Sequence, residues 1–90
     1  MLDLYVMTTR LEEKGWQLVA FIHCPQPEGS ATAPGAVITW RHPGRWEHNT
    51  HFYNSQDRGF HQGHYDMRQD DALLDMARRA SRLVRPNAVV

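Results

Sequence analysis

The spacing of apolar residues changes near residue 68 and divides the chain into two unequal parts. Before that point, short runs rich in β-branched and aromatic residues alternate with segments that contain glycine or proline, which is typical of strands joined by turns. After it, Leu73, Ala77, Ala80 and Val84 recur at helical spacing and form one apolar stripe. The chain is therefore predicted to be an α+β fold: an antiparallel sheet of four to five strands in meander-like order, with one C-terminal helix packed on one face.

Ninety residues suit a single domain, 1–90. The sequence predicts strands at about 2–9, 16–24, 36–41, 45–54 and 60–65, a loop at 24–35, a helix at about 68–85 and a tail at 86–90. Gly63 interrupts the last strand and is expected to mark a bulge or a close backbone approach. Pro86 is expected to end the helix.

Strand alternation sorts the predicted strand residues onto two faces. One face, expected to meet the helix, includes Trp16, Leu18, Ala20, Ile22, Ile38 and Trp40. The opposite face carries a second apolar set, namely Tyr5, Met7, Val19, Phe21 and His23. One helix cannot cover two faces, so either the sheet curls around the helix or the second face is exposed and meets a partner.

Composition argues against several classes of function. Ten basic residues balance ten acidic ones, which removes the overall positive charge that draws a protein to nucleic acid. No apolar run approaches the roughly 20 residues of a membrane span. The single cysteine, Cys24, cannot form an internal disulfide and favours the reducing cytoplasm. No glycine-rich phosphate loop is present, and no cofactor is predicted.

Four of the six histidines, His48, His51, His61 and His64, form two pairs with short internal gaps and a longer gap between the pairs. Such spacing resembles that of metal ligands. However, residues three apart on a strand point to opposite faces, and this disfavours a four-histidine site. No metal is predicted; if one were bound, these four histidines would be the candidate ligands.

The register of the predicted hairpin decides how these histidines are distributed. Pairing Phe52 with Phe60 sets His51 opposite His61, and it sets His48 opposite His64, with one pair on each face. A slip of one residue would instead bring His51 and His64 to one face. No register gathers all four.

Two alternative functions use the same region. A metal-free ribonuclease or other small hydrolase needs histidines as acid and base and arginines for the phosphate, and His48, His51, Arg45 and Arg58 supply those residue types. An open aromatic sheet face would instead resemble an RNA-stacking platform.

The favoured function is a non-catalytic protein-interaction module. In general character the chain resembles small phage or mobile-element accessory proteins that bind and inhibit or regulate a host protein. Tryptophan, tyrosine and arginine dominate binding hot spots. The predicted partner contacts are Arg45, Trp46, His51, Tyr53, Arg58, His61 and Tyr65. The expected partner is another protein, and a homodimer through the exposed sheet face is an alternative.

Overall fold

The computed structural model describes residues 2–25 and 34–84. Over these residues the elements follow the order α1 (Leu4–Glu13), β1 (Gln17–Cys24), β2 (Gly35–Arg41), β3 (His48–Asn54), β4 (Gly59–Met67) and α2 (Gln69–Val84). The strands form one antiparallel sheet in the order β1-β2-β3-β4, and α2 packs on it. The predicted α+β fold is confirmed, with a short N-terminal helix in addition. Residues 26–33 of the predicted loop and the whole predicted tail lie outside the described residues.

The strand predicted at 2–9 is wrong, because this segment forms α1. The Asp3 carboxylate accepts the backbone N–H of Val6 at 3.2 Å and caps the helix. Met7 and Leu11, four residues apart, are both buried against the sheet. The hydroxyl of Thr8 donates to the carbonyl of Leu4 at 2.8 Å, so this β-branched residue is accommodated within the helix. Burial of one helical face thus outweighs the strand preference of the local composition.

The segment between the strands predicted at 2–9 and 16–24 contains the end of α1. Gly15 has a φ of 74°, a conformation that glycine adopts without steric cost. Its N–H donates to the carbonyl of Glu12, and the N–H of Trp16 donates to the carbonyl of Leu11, each at 3.0 Å. These two bonds make a Schellman motif, which ends the helix and directs the chain into β1.

Both faces of the sheet are covered, each by one helix. On β2, Ile38 and Trp40 belong to the core on the α1 side, whereas Val37 belongs to the core on the α2 side. On β2, α1 therefore covers the face of Ile38 and Trp40, which was predicted to meet the C-terminal helix, and α2 packs on the face predicted to be open. Met7, expected on that open face, is fully buried in the α1-side core.

A bulge in β1 changes the predicted sorting of side chains. The pairing with β2 shifts between Leu18 and Ala20, which leaves Val19 as an extra residue. Leu18 consequently packs on the α1 side, whereas Ala20 and Ile22 pack on the α2 side. The prediction that these three side chains share one face with Trp40 is wrong, because one inserted residue reverses the alternation.

Helix α2 agrees with the prediction in position but is rotated about its axis. Ala72, Met76 and Ala80 are its buried apolar residues, with Leu73 half-buried beside them. Ala77, predicted in the apolar stripe, is exposed. Position 79 falls on the buried face at helical spacing from 72 and 76, and it is occupied by an arginine.

The β3–β4 hairpin differs by one residue from the predicted register. Tyr53, not Phe52, pairs with Phe60, and Phe52 pairs with His61. Two further shifts interrupt β4, at Gln62 and Asp66, whose φ angles are 53° and 61°. The prediction of a bulge or close approach at Gly63 is confirmed, since a Cβ there would overlap the Tyr65 hydroxyl and the imidazole of His51.

Candidate functional site

A chain of hydrogen bonds connects the α1-side core to the surface. Nε1 of Trp40 donates to Nδ1 of His51 at 2.9 Å, and Nε2 of His51 lies 3.0 Å from the hydroxyl of Tyr65. Because an indole nitrogen can only donate, Nδ1 of His51 must be the acceptor. The neutral imidazole therefore carries its proton on Nε2 and donates it to Tyr65.

His51 is enclosed by aromatic rings. Trp16 and Trp40 stack with centroids 3.6 Å apart and planes inclined by 5°, and the imidazole lies 5.2 Å from the ring centroid of Trp16. Burial lowers the pKa of His51 to about 4, and the positive charges of Arg79 and Lys14 act in the same direction. His51 is therefore neutral near pH 7, and both of its ring nitrogens are occupied.

Tyr65 brings this chain to the surface, with 57% of the residue exposed. Its ring meets that of His51 edge-on, at a centroid distance of 5.4 Å. A shallow cleft of about 250 Å³ lies beside it, lined by Trp40, His42, Arg45, Glu47, Asn49, Tyr65 and Asp66. Trp46, between two of the lining residues in sequence, is 62% exposed. We call Arg45, Trp46 and Tyr65 the aromatic patch.

Local hydrogen bonds hold the segment that carries Trp46. The N–H of Arg45 donates to the carbonyl of His42 at 3.1 Å, which closes the predicted turn. Nδ1 of His48 donates to the carbonyl of Trp46 at 2.7 Å. Arg41 also reaches the carbonyl of Arg45 at 3.4 Å. The backbone beneath the indole is thus fixed on both sides.

A second polar network lies on the opposite, α2 side of the sheet. The Asp75 carboxylate accepts from the Thr50 hydroxyl at 2.6 Å and from Nδ1 of His64 at 2.8 Å. Arg79 donates to the same Thr50 oxygen at 3.1 Å. Burial favours a higher pKa for Asp75, but the hydrogen bonds from Thr50 and His64 outweigh it and hold the pKa below its ordinary value.

A larger cleft, of about 500 Å³, lies between the β3–β4 hairpin and α2. Its lining residues are Phe52, Asn54, His61, Gln62, Arg79, Arg82 and Leu83. At its hairpin end, Nε2 of His61 lies 3.0 Å from a carboxylate oxygen of Asp57. We call it the arginine cleft.

The structure brings Arg45 and Tyr65 to the lining of one cleft, with Trp46 next to Arg45 in the chain, and it separates the other predicted partner contacts. Arg45, Trp46 and Tyr65 form the aromatic patch. Arg58 and His61 are also exposed, but they lie at the β3–β4 turn and on the adjoining part of β4. These five remain candidate contacts, at two separate places.

The other two predicted contacts, His51 and Tyr53, are wrong as surface residues. Tyr53 is 1% exposed and lies in the α1-side core, with its ring 5.3 Å from that of Phe60. His51 is 5% exposed. Both point to the α1 side of the sheet, where α1 and the paired tryptophans Trp16 and Trp40 cover them.

The histidine quartet is not a single site in the described structure. His61 and His64 pair with Phe52 and Thr50, whose side chains face α2, and strand alternation places His48 on the same side. His51 alone faces the α1 side. The predicted division into two opposed pairs is therefore wrong, because the one-residue difference in register moves His61 to the α2 side, while the bulge at Gln62 keeps His64 on the side of His48. Among residues 2–25 and 34–84, no three His, Cys, Asp or Glu side chains form a set that could hold a metal ion.

Sequence reasoning missed Asp75, Arg79 and Arg82, because acidic residues near the start of a helix and arginines near its end are also expected from the helix dipole alone. One signal was present: position 79 continues the spacing of the buried residues Ala72 and Met76. An arginine at such a position must either be satisfied internally or border a cleft.

Comparison of the chain with protein family models, curated proteins and solved structures found no match. In the part of the chain that the structure describes, no helix is long and apolar enough to cross a membrane. Function is therefore inferred from the geometry of the described residues.

Proposed function

We propose that this chain is a non-catalytic protein-interaction module that binds another protein through the aromatic patch. The observation that carries the proposal is the exposure of two large aromatic side chains: Tyr65, 57% exposed, lines a shallow cleft, and Trp46, 62% exposed, directly follows the lining residue Arg45 in the chain. Tryptophan, tyrosine and arginine are the residue types that contribute most to binding hot spots. Arg45 adds the third of these types to the same cleft.

The anchoring of Tyr65 supports this proposal. Its hydroxyl is held by His51, which is itself held by Trp40. A side chain that is already ordered in the free protein loses less conformational entropy on binding, so more of its contact energy contributes to affinity. Gly63 serves this arrangement, since a side chain at that position would occupy the space of the hydroxyl.

The chemistry of the cleft defines the partner surface that suits it. The cleft has an aromatic wall at Trp40 and Tyr65, a cation at Arg45 and carboxylates at Glu47 and Asp66. A partner that inserts an apolar side chain, flanked by polar groups of both signs, complements this lining. We place the interaction in the cytoplasm, where the free buried thiol of Cys24 would stay reduced. A phage or mobile-element accessory protein that inhibits or regulates a host protein fits this description.

Three alternative hypotheses lose their basis. RNA stacking and homodimerisation were each predicted to use an open sheet face, but α1 and α2 each cover one face of the sheet. The hydrolase hypothesis grouped His48, His51, Arg45 and Arg58, but His51 is buried in the aromatic stack and Arg58 lies at the opposite end of β3 from Arg45. We therefore propose neither an open-face interaction nor catalysis by these four residues.

The experiment compares proteins captured by the wild-type chain with those captured by W46A, Y65A and Y5A. Tyr5 is the matched control, since it is an exposed aromatic residue on α1 outside the patch, with 79% exposure. A partner identified by quantitative mass spectrometry is then purified and titrated calorimetrically. Loss of a hot-spot side chain is worth about 2 kcal/mol, so W46A and Y65A should each weaken binding about thirtyfold.

Tyr65→Phe separates anchoring from contact area. It keeps the ring and removes the bond to His51, so a smaller loss of affinity than in Y65A is expected. Unchanged affinity in both W46A and Y65A, with circular dichroism intact, would contradict the proposed surface. An equal loss of affinity in Y5A would show that the assay reports non-specific binding by exposed aromatic residues.

A further inference from the structure

Arg79 is buried without a carboxylate against its guanidinium. Only 8% of the residue is exposed, and its one hydrogen bond within the described chain goes to the Thr50 hydroxyl. Among residues 2–25 and 34–84, no carboxylate oxygen lies within 4.0 Å of it. The Asp75 carboxylate is engaged by Thr50 and His64 instead.

Arg79 lines the arginine cleft and has donors beyond the one that Thr50 accepts. A guanidinium has five N–H groups, and Thr50 accepts from one of its nitrogens. No fully enclosed side-chain nitrogen or oxygen in the described chain lacks a hydrogen-bond partner. The unpartnered nitrogens of Arg79 must therefore be reached from open space, and the open space that Arg79 lines is the cleft.

The other groups around the cleft complete a positively charged pocket. Burial lowers the pKa of Arg79, the charge of Asp75 opposes this effect, and the charge of Arg82, one helical turn further along the cleft lining, adds to the lowering. His61 faces them from β4, with Asp57 as its carboxylate partner. Asn54 and Gln62 add neutral donors, and Phe52 and Leu83 add apolar surface.

We propose that the arginine cleft binds the phosphate group of a small phosphorylated molecule of nucleotide size. Two adjacent guanidinium groups that have no carboxylate within 4.0 Å among the described residues match an oxyanion, and arginine can bind phosphate with two parallel hydrogen bonds. A volume of about 500 Å³ exceeds what one phosphate fills and lies in the range of small-ligand pockets. Phe52 and Leu83 offer the rest of such a ligand an apolar contact. This site lies on the other side of the sheet from the aromatic patch, and it does not depend on the proposed protein partner.

The test titrates the ¹⁵N-labelled full chain at low salt with inorganic phosphate, adenosine monophosphate and adenosine. Saturable shifts at Asn54, Gln62 and Arg82 with the monophosphate, and weaker ones with phosphate alone, are expected. Adenosine, which has no phosphate, should produce none. Binding of phosphate as tightly as of the monophosphate would still support the oxyanion site but would restrict the ligand to the ion itself.

Arg82→Gln and Arg78→Gln form a matched pair for this test. Both remove one arginine charge from α2, but only Arg82 lines the cleft, and Arg78 is exposed elsewhere on the helix. R82Q should weaken binding of the monophosphate about tenfold, and R78Q should leave it nearly unchanged. Arg79→Lys adds a second variant, in which the charge is kept and the paired donors are lost.

Three results would overturn the proposal. These are the absence of saturable shifts at millimolar phosphate and monophosphate, equal weakening by R82Q and R78Q, and adenosine binding that matches that of the monophosphate. The second would identify general attraction to a basic helix rather than a site. The third would show that the apolar surface, not the arginines, holds the ligand.

Discussion

Acidification is expected to destabilise the fold because His51 is buried in its neutral form. The folded protein holds the pKa of His51 at about 4, against 6.5 for an ordinary histidine. Between these values the unfolded chain binds a proton that the folded chain does not. The free energy of unfolding should therefore be undiminished above pH 6.5 and should fall as the pH decreases toward 4.

The size of the effect follows from the difference in proton affinity. A tenfold difference corresponds to about 1.4 kcal/mol, so the complete loss on passing from pH 6.5 to about 4 is about 3 kcal/mol. At pH 5 most of the unfolded chains carry the proton, and the loss relative to pH 8 is about 2 kcal/mol. A domain of this size is stabilised by about 5–15 kcal/mol in total, so the change is readily measured.

Urea unfolding followed by tryptophan fluorescence between pH 5 and pH 8 measures this loss. Asp57 and Asp75 have lowered pKa values, so their contributions are lost only as the pH falls below about 4, their ordinary range. His51→Gln should flatten the dependence between pH 5 and pH 7. His23→Gln, at an exposed position, is the matched control and should leave it unchanged.

A direct titration of the imidazole by NMR keeps the reasoning testable if His51→Gln does not fold. The resonances of His51 in the wild-type chain should report protonation near pH 4. Protonation near pH 6.5, or the same pH dependence of stability in wild type and H51Q, would refute the burial of a neutral imidazole.

Three further substitutions test the packing. Gly63→Ala should lower the free energy of unfolding by about 1–3 kcal/mol and remove the His51–Tyr65 hydrogen bond, because the new Cβ overlaps both side chains. Urea unfolding measures the loss of stability, and NMR of the His51 imidazole reports the loss of the bond. Gly15→Ala should cost about 1 kcal/mol because of its positive φ, whereas the same change at Gly59, where φ is not positive, should lack this penalty. Leu11→Ala should cost about 2–5 kcal/mol in urea unfolding, and an unchanged midpoint would contradict the packing of α1 on the sheet.

The N-terminal helix was predictable in principle. Asp3 stands where a helix cap belongs, Met7 and Leu11 have helical spacing, and Gly15 follows at the position of a C-terminal glycine. The β-branched residues in the same segment favour a strand instead, and a segment this short can satisfy both the helical and the strand pattern. Tertiary packing decided between the helical and the strand pattern. The second apolar face of the sheet must be buried, and among the described residues a helix formed by this segment buries it.

The bulges were partly predictable. Gly63 indicated one bulge, because a glycine within a strand commonly marks a bulge or a close approach to the backbone. Val19 gave no such signal, since valine is a favourable strand residue and its extra position shows only in the pairing with β2. Arg79 was missed because an arginine in the last turns of a helix has an ordinary explanation in the helix dipole. Its burial depends on the rotation of α2 against the sheet, which the apolar stripe fixed only approximately.

The bulge at Gln62 explains why one hairpin serves two different surfaces. In a regular strand, His61 and Tyr65 would share a face, and His64 would lie on the other. On β3, one residue separates Thr50 from Phe52. On β4, two residues separate their partners, His64 and His61. That extra residue turns His64 toward Asp75 on the α2 side, and it turns Tyr65 toward His51 on the α1 side. A single backbone irregularity therefore orders both the aromatic patch and the polar network beside the arginine cleft, and no pattern of side chains along a regular strand would produce the two together.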